Sequence, residues 1–200
     1  KKRKRCQMLN IRKAVEADCK TISISIVTAF DNDFSAFIKQ FGREFVLEFM
    51  EKVLQIEYFY VVEQAGHIIG VLAISDANGR ATKLDRQKLA ERFGRFKAFL
   101  LGLGFSDFEK PIKIPETTGY IEYVAVDAAY RGQGLAQQML KESMKLAGFK
   151  DYILDVKDSN EAAIRCYQKL GFREFTRKKK PFLNPLKDFK EFVWMERLAD

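Results

Sequence analysis

The sequence holds a single histidine, His67, and three cysteines, Cys6, Cys19 and Cys166, none at metal-ligand spacing. One histidine and three scattered thiols do not make a zinc or iron centre, so no metal is expected. An odd number of cysteines without a framework reads as reduced thiols. No apolar run reaches the roughly 20 residues of a membrane span, and no secretory h-region is present. A cytoplasmic protein with no membrane partner is the resulting expectation. Internal repeats and low-complexity linkers are missing too, which favours one domain with a sizeable core.

Charge is the next bound. The net charge is +8, from 35 basic and 27 acidic residues. Five of those charges are Lys1, Lys2, Arg3, Lys4 and Arg5, so the rest of the chain is only mildly basic. A run of five charges without interleaved aromatics reads as a disordered solvated tail over residues 1–7, and nucleic acid is not the expected partner. The domain is expected over 8–200, interrupted by an inserted helix and loop at about 77–118.

Along the chain, 8–14 reads as a first strand. Residues 16–30 alternate at TISISIV, like a strand, but Cys19, Ile22, Ile26 and Ala29 share one helical face, and the segment is assigned to a helix. Phe34, Phe37, Ile38, Phe41, Phe45, Phe49 and Val53 form a helical stripe over 33–54. That stripe reads as core, with an acceptor-pocket wall as the second reading. Residues 58–64 and 67–75 are two strands around the turn Ala65-Gly66, which places His67 beside a turn and not in a catalytic position. A helix over 84–103 follows, then a loop bracketed by Pro111 and Pro115. Such an insertion reads equally as a lid and as a packed extension of the core.

Chemistry concentrates in residues 120–148, YIEYVAVDAAYRGQGLAQQMLKESMKLAG. A strand apolar on both faces except at Glu122 runs into a turn with Gly132 and Gly134, and a helix opens there. A helix N-terminus beside glycines is an anion site. Neither G-x-G-x-x-G nor the P-loop pattern is present. What stands there is R-x-x-G-x-A, with Arg131, Gly134 and Ala136 at the fixed positions. A second pattern, N-x-x-A-x-x-x-Y-x-x-x-G-F, runs from Asn160 through Ala163, Tyr167 and Gly171 to Phe172. Between them lies a strand at 151–156. A capping-box start with Asp158 and Glu161 opens the helix 159–169, and strands at 172–177 and 191–198 flank a basic loop with Pro181 and Pro185.

The two patterns, in this order and with a strand between them, resemble those of the GNAT (GCN-related) N-acetyltransferases, and the resemblance covers most of the chain. It implies an α/β (α+β) fold, a mixed, mostly antiparallel central sheet flanked by helices with a splayed parallel strand pair. The pair would be 120–126 and 151–156. The resemblance further implies acetyl-CoA as co-substrate, with backbone groups of Val124, Ala125 and Val126 on the pantetheine. Amides of Gly132, Gln133, Gly134, Leu135, Ala136 and Gln137 would hold the pyrophosphate, Arg131 would frame the loop, and Asn160 would touch the cofactor. Members of the family usually have a short turn where this chain carries 77–118. Dimers occur in the family, so a homodimer is expected by analogy alone.

The implied reaction is transfer of acetyl from acetyl-CoA to a primary amine by direct attack in a ternary complex; a small-molecule amine is the expected acceptor. An alkyl ammonium must lose a proton before it can attack, and a carboxylate can take it. Glu122 is the expected base, against the reading of a structural acid bonded to a basic neighbour. Tyr167 matches the family tyrosine that protonates the departing thiolate, against the reading of a core aromatic. Cys166 adjoins Tyr167 but points elsewhere on the helix, so no acyl-cysteine is expected. A non-catalytic acyl-CoA-binding or regulatory module is the alternative function.

Overall fold

The computed structural model describes residues 9–105, 111–180 and 188–199. The basic tail and the stretch with Pro181 and Pro185 lie outside the described residues.

The chain enters through β1 (Asn10–Lys13), a 3-10 turn (Glu16–Asp18) and α1 (Cys19–Ala29). The alternating TISISIV run is helical because helix burial collects its apolar residues: Ile22, Ile26 and Val27 have no exposed surface, while Ile24 faces water. The phenylalanine stripe does not make one helix. It makes α2 (Asp31–Phe41) and α3 (Arg43–Val53), broken at Gly42 with φ 87° and ψ 153°, a corner that a side-chain-bearing residue enters only under strain. The hairpin β2 (Phe59–Gln64) and β3 (His67–Ser75) follows, turning at Ala65 and Gly66.

The inserted segment likewise forms two helices where one was expected, α4 (Arg86–Phe93) and α5 (Arg95–Phe105). Gly94, at φ 84° and ψ 151°, makes the same corner as Gly42. Then come β4 (Thr118–Val126), α6 (Leu135–Ala147), β5 (Asp151–Lys157), α7 (Glu161–Lys169), β6 (Arg173–Lys179) and β7 (Glu191–Arg197). The cap of α7 differs from expectation. Asn160, and not Asp158, occupies the N-cap, its Oδ1 accepting from the Ala163 N–H at 3.2 Å.

Among the described residues, seven strands form one sheet in the order β1-β2-β3-β4-β5-β7-β6. Every adjacent pair is antiparallel except β4–β5. Each face carries its own core. On the first face, Phe59, Val61, Val71, Ala73 and Ala125 meet α1, α2, α3 and the inserted helices; on the second, Tyr60, Leu72, Ile121, Leu154 and Met195 meet α6 and α7.

The insertion belongs to the first core. Leu89, Ala98, Leu101 and Phe105 are buried there, and the Phe105 ring lies 4.7 Å from Phe49, 5.4 Å from Phe37 and 6.0 Å from Phe34. The stripe of α2 and α3 is thus filled by the insertion's own phenylalanine, as a packed extension of the core. Truncating Phe105→Ala removes a ring shared by three partners and should cost about 3–5 kcal/mol. Urea unfolding followed by circular dichroism should show the lower midpoint within one cooperative transition.

Candidate active site

The sheet carries an interruption. β4 and β5 pair only over Thr118↔Asp151, Gly119↔Tyr152, Tyr120↔Ile153 and Ile121↔Leu154. Beyond that rung β4 continues to Val126 and β5 to Lys157, each still paired to its other neighbour. On the β3 side, Val71 faces Ala125 and Ala73 faces Glu122, so Tyr123 and Val124 together oppose Leu72. This is a β-bulge, with Tyr123 at φ 55°. The extra residue bends β4 away from β5, and residues 122–124 become partly exposed where 118–121 are buried. Among the described residues, a run of strand backbone is left without a ladder partner on one side.

The glycine turn sits at the open end of that run. Asp127 accepts from the Ala129 N–H at 2.8 Å, and Arg131 Nε donates to the Val126 carbonyl at 3.0 Å, which ties the turn to the end of β4. Gly132 and Gly134 stand at φ 73° and 80°, with nothing within 4 Å of a Cβ built on either, so the turn opens to space. Leu135 is buried and anchors the first turn of α6, whose leading amides lie next to exposed Gln133 and Gly134. Asn160 lies on the far side of the gap, at the head of α7; its cap uses Oδ1 and leaves the amide N–H2 to donate.

The carboxylates lie on the first face. Glu122 is bonded to a basic neighbour, the second of its two readings. Its Oε2 accepts from Arg80 Nη2 at 2.7 Å, and its Oε1 accepts from the Ala81 N–H at 3.0 Å and from the Ser75 hydroxyl. The Glu122 and Arg80 side chains are only 8% and 10% exposed. The guanidinium lies over the Tyr120 ring, 5.1 Å from its centroid. The Tyr120 hydroxyl in turn donates to Asp155 Oδ1, and its ring stacks 6.0 Å from Trp194. Burial pushes the Asp155 carboxyl above the usual carboxylate range; the Tyr120 hydrogen bond works against this, and the charge of Glu122 with it. Burial, and then the charge of Asp155, push the Tyr120 hydroxyl well up.

Tyr167 belongs to the second face, buried with Leu154, Val156 and Phe172. Burial raises its hydroxyl, with a further push from Asp155, so it stays protonated at neutral pH. Among the described residues no hydrogen bond occupies that hydroxyl. Burial likewise raises the Cys166 thiol, which disfavours a nucleophilic thiolate. Glu122 and Tyr167 therefore approach from opposite faces, and the gap between β4 and β5 is where both faces become reachable.

Sequence reasoning missed Asp155, Tyr120, Ser75 and Arg80. Asp155 carried a signal, an acid in the apolar strand DYILDV, whereas Arg80 follows a turn with no spacing to mark it. No group of three or more His, Cys, Asp or Glu that could hold a metal is present among the described residues. No helix among them is long and apolar enough to cross a membrane.

Known proteins give the architecture a family. N-alpha-acetyltransferase 30 of Schizosaccharomyces pombe is 34% identical over 79 residues, 38% of this chain and 53% of that protein. Glucosamine 6-phosphate N-acetyltransferase of Trypanosoma brucei brucei is 37% identical over 59 residues, 30% of this chain and 40% of the relative. The matches thus span about half or less of these two relatives' length. The crystal structure of an N-acetyltransferase from Staphylococcus aureus Mu50 superposes with a TM-score of 0.66 at 21% identity, covering 94% of this chain and all of that one, a likeness of fold. The model of the Acetyltransferase (GNAT) family matches residues 25–172. With the interrupted β4–β5 ladder, the glycine turn and a match over well more than half its length, the chain belongs to the GNAT acetyltransferase family.

Proposed function

We propose that this protein transfers an acetyl group from acetyl-CoA to a primary amine by direct attack in a ternary complex. The observation that carries the reading is the β4–β5 ladder that stops at Ile121 and Leu154 directly beside a glycine turn opening a helix. The residues present fit acetyl-CoA: unpaired strand backbone suits an amide-bearing arm, and exposed N-terminal amides suit a pyrophosphate. Val124, Ala125 and Val126 would bond the arm through their main chain. The amides of Gly132, Gln133, Gly134, Leu135, Ala136 and Gln137 would take the phosphates, with Arg131 holding the turn in place and the Asn160 amide donating from across the gap. When bound, acetyl-CoA supplies the activated acetyl thioester.

The protein must then move two protons. We assign the first to Asp155 in place of Glu122. The lone pairs of Glu122 are largely committed to Arg80, Ala81 and Ser75, whereas Asp155 is half-buried at the same opening and made more basic by desolvation. Among the described residues its Oδ2 accepts no hydrogen bond, leaving a lone pair for an amine proton. Tyr167, protonated and with its hydroxyl uncommitted, would give the second proton to the leaving sulfur.

The acceptor is an amine, and a small molecule remains the proposed class. The packing of Phe34, Phe37 and Phe49 against Phe105 takes away the pocket wall that first suggested it. Support now comes from glucosamine 6-phosphate in one relative's name, while the name N-alpha-acetyltransferase 30 makes a peptide N-terminus the competing class.

Two measurements test the reading. Acetyl-CoA at about 100 times its dissociation constant should stabilise the protein by roughly 2.7 kcal/mol, seen as a raised thermal midpoint, and Gly134→Glu should abolish that rise. Absence of any rise at millimolar ligand overturns the cofactor assignment. In a panel of small amines and short peptides, Asp155→Asn should lower kcat/KM at least 100-fold and remove the acid limb of its pH profile, because only the ionised carboxylate accepts a proton. That limb should lie above the ordinary carboxylate range, since the folded carboxyl is raised. Glu122→Gln should lose less, and Tyr167→Phe should lower kcat with little change in KM. Binding without turnover of any amine would favour the acyl-CoA-binding module.

A further inference from the structure

Arg80, Ala81 and Thr82, near the start of the inserted segment, all reach β4. Arg80 meets Glu122 and lies over Tyr120, the Ala81 N–H donates to Glu122, and the Thr82 hydroxyl lies 3.4 Å from the Tyr123 hydroxyl. The stretch is also pinned from behind: Gln55 N donates to the Ala81 carbonyl at 2.9 Å, and Lys83 N to the Val53 carbonyl at 2.8 Å. A short piece of the insertion is therefore wedged between the end of α3 and the bulged strand, with a buried guanidinium at its tip.

We propose that Arg80 is a positioning residue for proton transfer: it fixes Tyr120 on Asp155 and occupies the Glu122 oxygens, so that Asp155 is the carboxylate left to take the proton. This rests on the reading of Asp155 as the base. The Arg80 guanidinium is paired with one carboxylate, Glu122, and its charge also acts on the other, Asp155. The groups acting on Asp155 come from four parts of the chain. They are Tyr120 and Glu122 on β4, Arg80 in the insertion, Lys178 on β6 and Tyr167 on α7. Glu122 favours the neutral form of Asp155, while Arg80 and Lys178 favour the carboxylate. Taking away Arg80 leaves Glu122 unopposed and loosens the Tyr120 ring beneath it.

The test reads Asp155 directly, without an acceptor. The full chain is labelled with 13C at aspartate carboxyl carbons, the Asp155 resonance is assigned by Asp155→Asn, and its titration midpoint is followed by NMR. Arg80→Met should move the midpoint to higher pH, because a cation that favoured the anion is gone. Arg80→Lys keeps a charge without the fork and should fall between. The double variant Arg80→Met/Glu122→Leu removes both members of the pair and should bring the midpoint back down, a reversal that general loosening of the fold does not produce. If Arg80→Met does not fold, Arg80→Lys and the double variant still decide the matter. A midpoint unmoved in folded Arg80 variants overturns the proposal. A different result, full turnover by Asp155→Asn while the midpoint still follows Arg80, would sink the base assignment and leave the coupling standing.

Discussion

One extra residue in β4 governs the rest of the site. With Tyr123 and Val124 both set against Leu72, β4 cannot follow β5 past Ile121, and the parallel pair opens. A bulge costs pairing and puts Tyr123 at a positive φ, of order 1–3 kcal/mol of local strain for a residue with a side chain. It persists because packing on the first face over-determines it. Tyr123 lies edge-on to Phe30 and 6.1 Å from Phe59, and Ala125 is buried under the first helical layer. The opening is thus held by packing.

The insertion is part of that support. α4 and α5 complete the phenylalanine core at one end, while Arg80, Ala81 and Thr82 grip β4 at the other. A segment that could have been a lid is instead a strut. Its buried ion pair would be a poor device for stability alone, since removing two charges from water offsets most of their attraction. Its value is directional. It orders the line Arg80–Tyr120–Asp155, in which each contact restrains the next.

Much of this was legible. Patterns at 131–136 and 160–172 gave the turn, the following helices and the strand between them, because backbone conformation there depends on a few residue types at fixed spacing. Periodicity placed the core of α1 against the strand-like look of TISISIV. It failed at Gly42 and Gly94, because a stripe of phenylalanines continues across a corner as readily as along a straight helix, and only the φ of one residue tells the two apart. The site is legible only in part. Glu122 stood out as the acid in an apolar strand, but which of Glu122 and Asp155 is committed depends on Arg80, more than forty residues earlier than Glu122, and tertiary pairing leaves no periodic mark.

The unpaired stretch of β4 has a consequence for how this sequence can change. Groups of the main chain are common to every residue, so a ligand recognised by the N–H and C=O of residues 124–126 is indifferent to most replacements there. Val124 can drift to isoleucine or threonine and the same donors and acceptors remain in place. Proline is the exception, since it deletes the donor itself. Tolerance at these positions and intolerance of the bulge beside them follow from one fact: what is inherited here is the shape of the strand rather than the identity of its side chains.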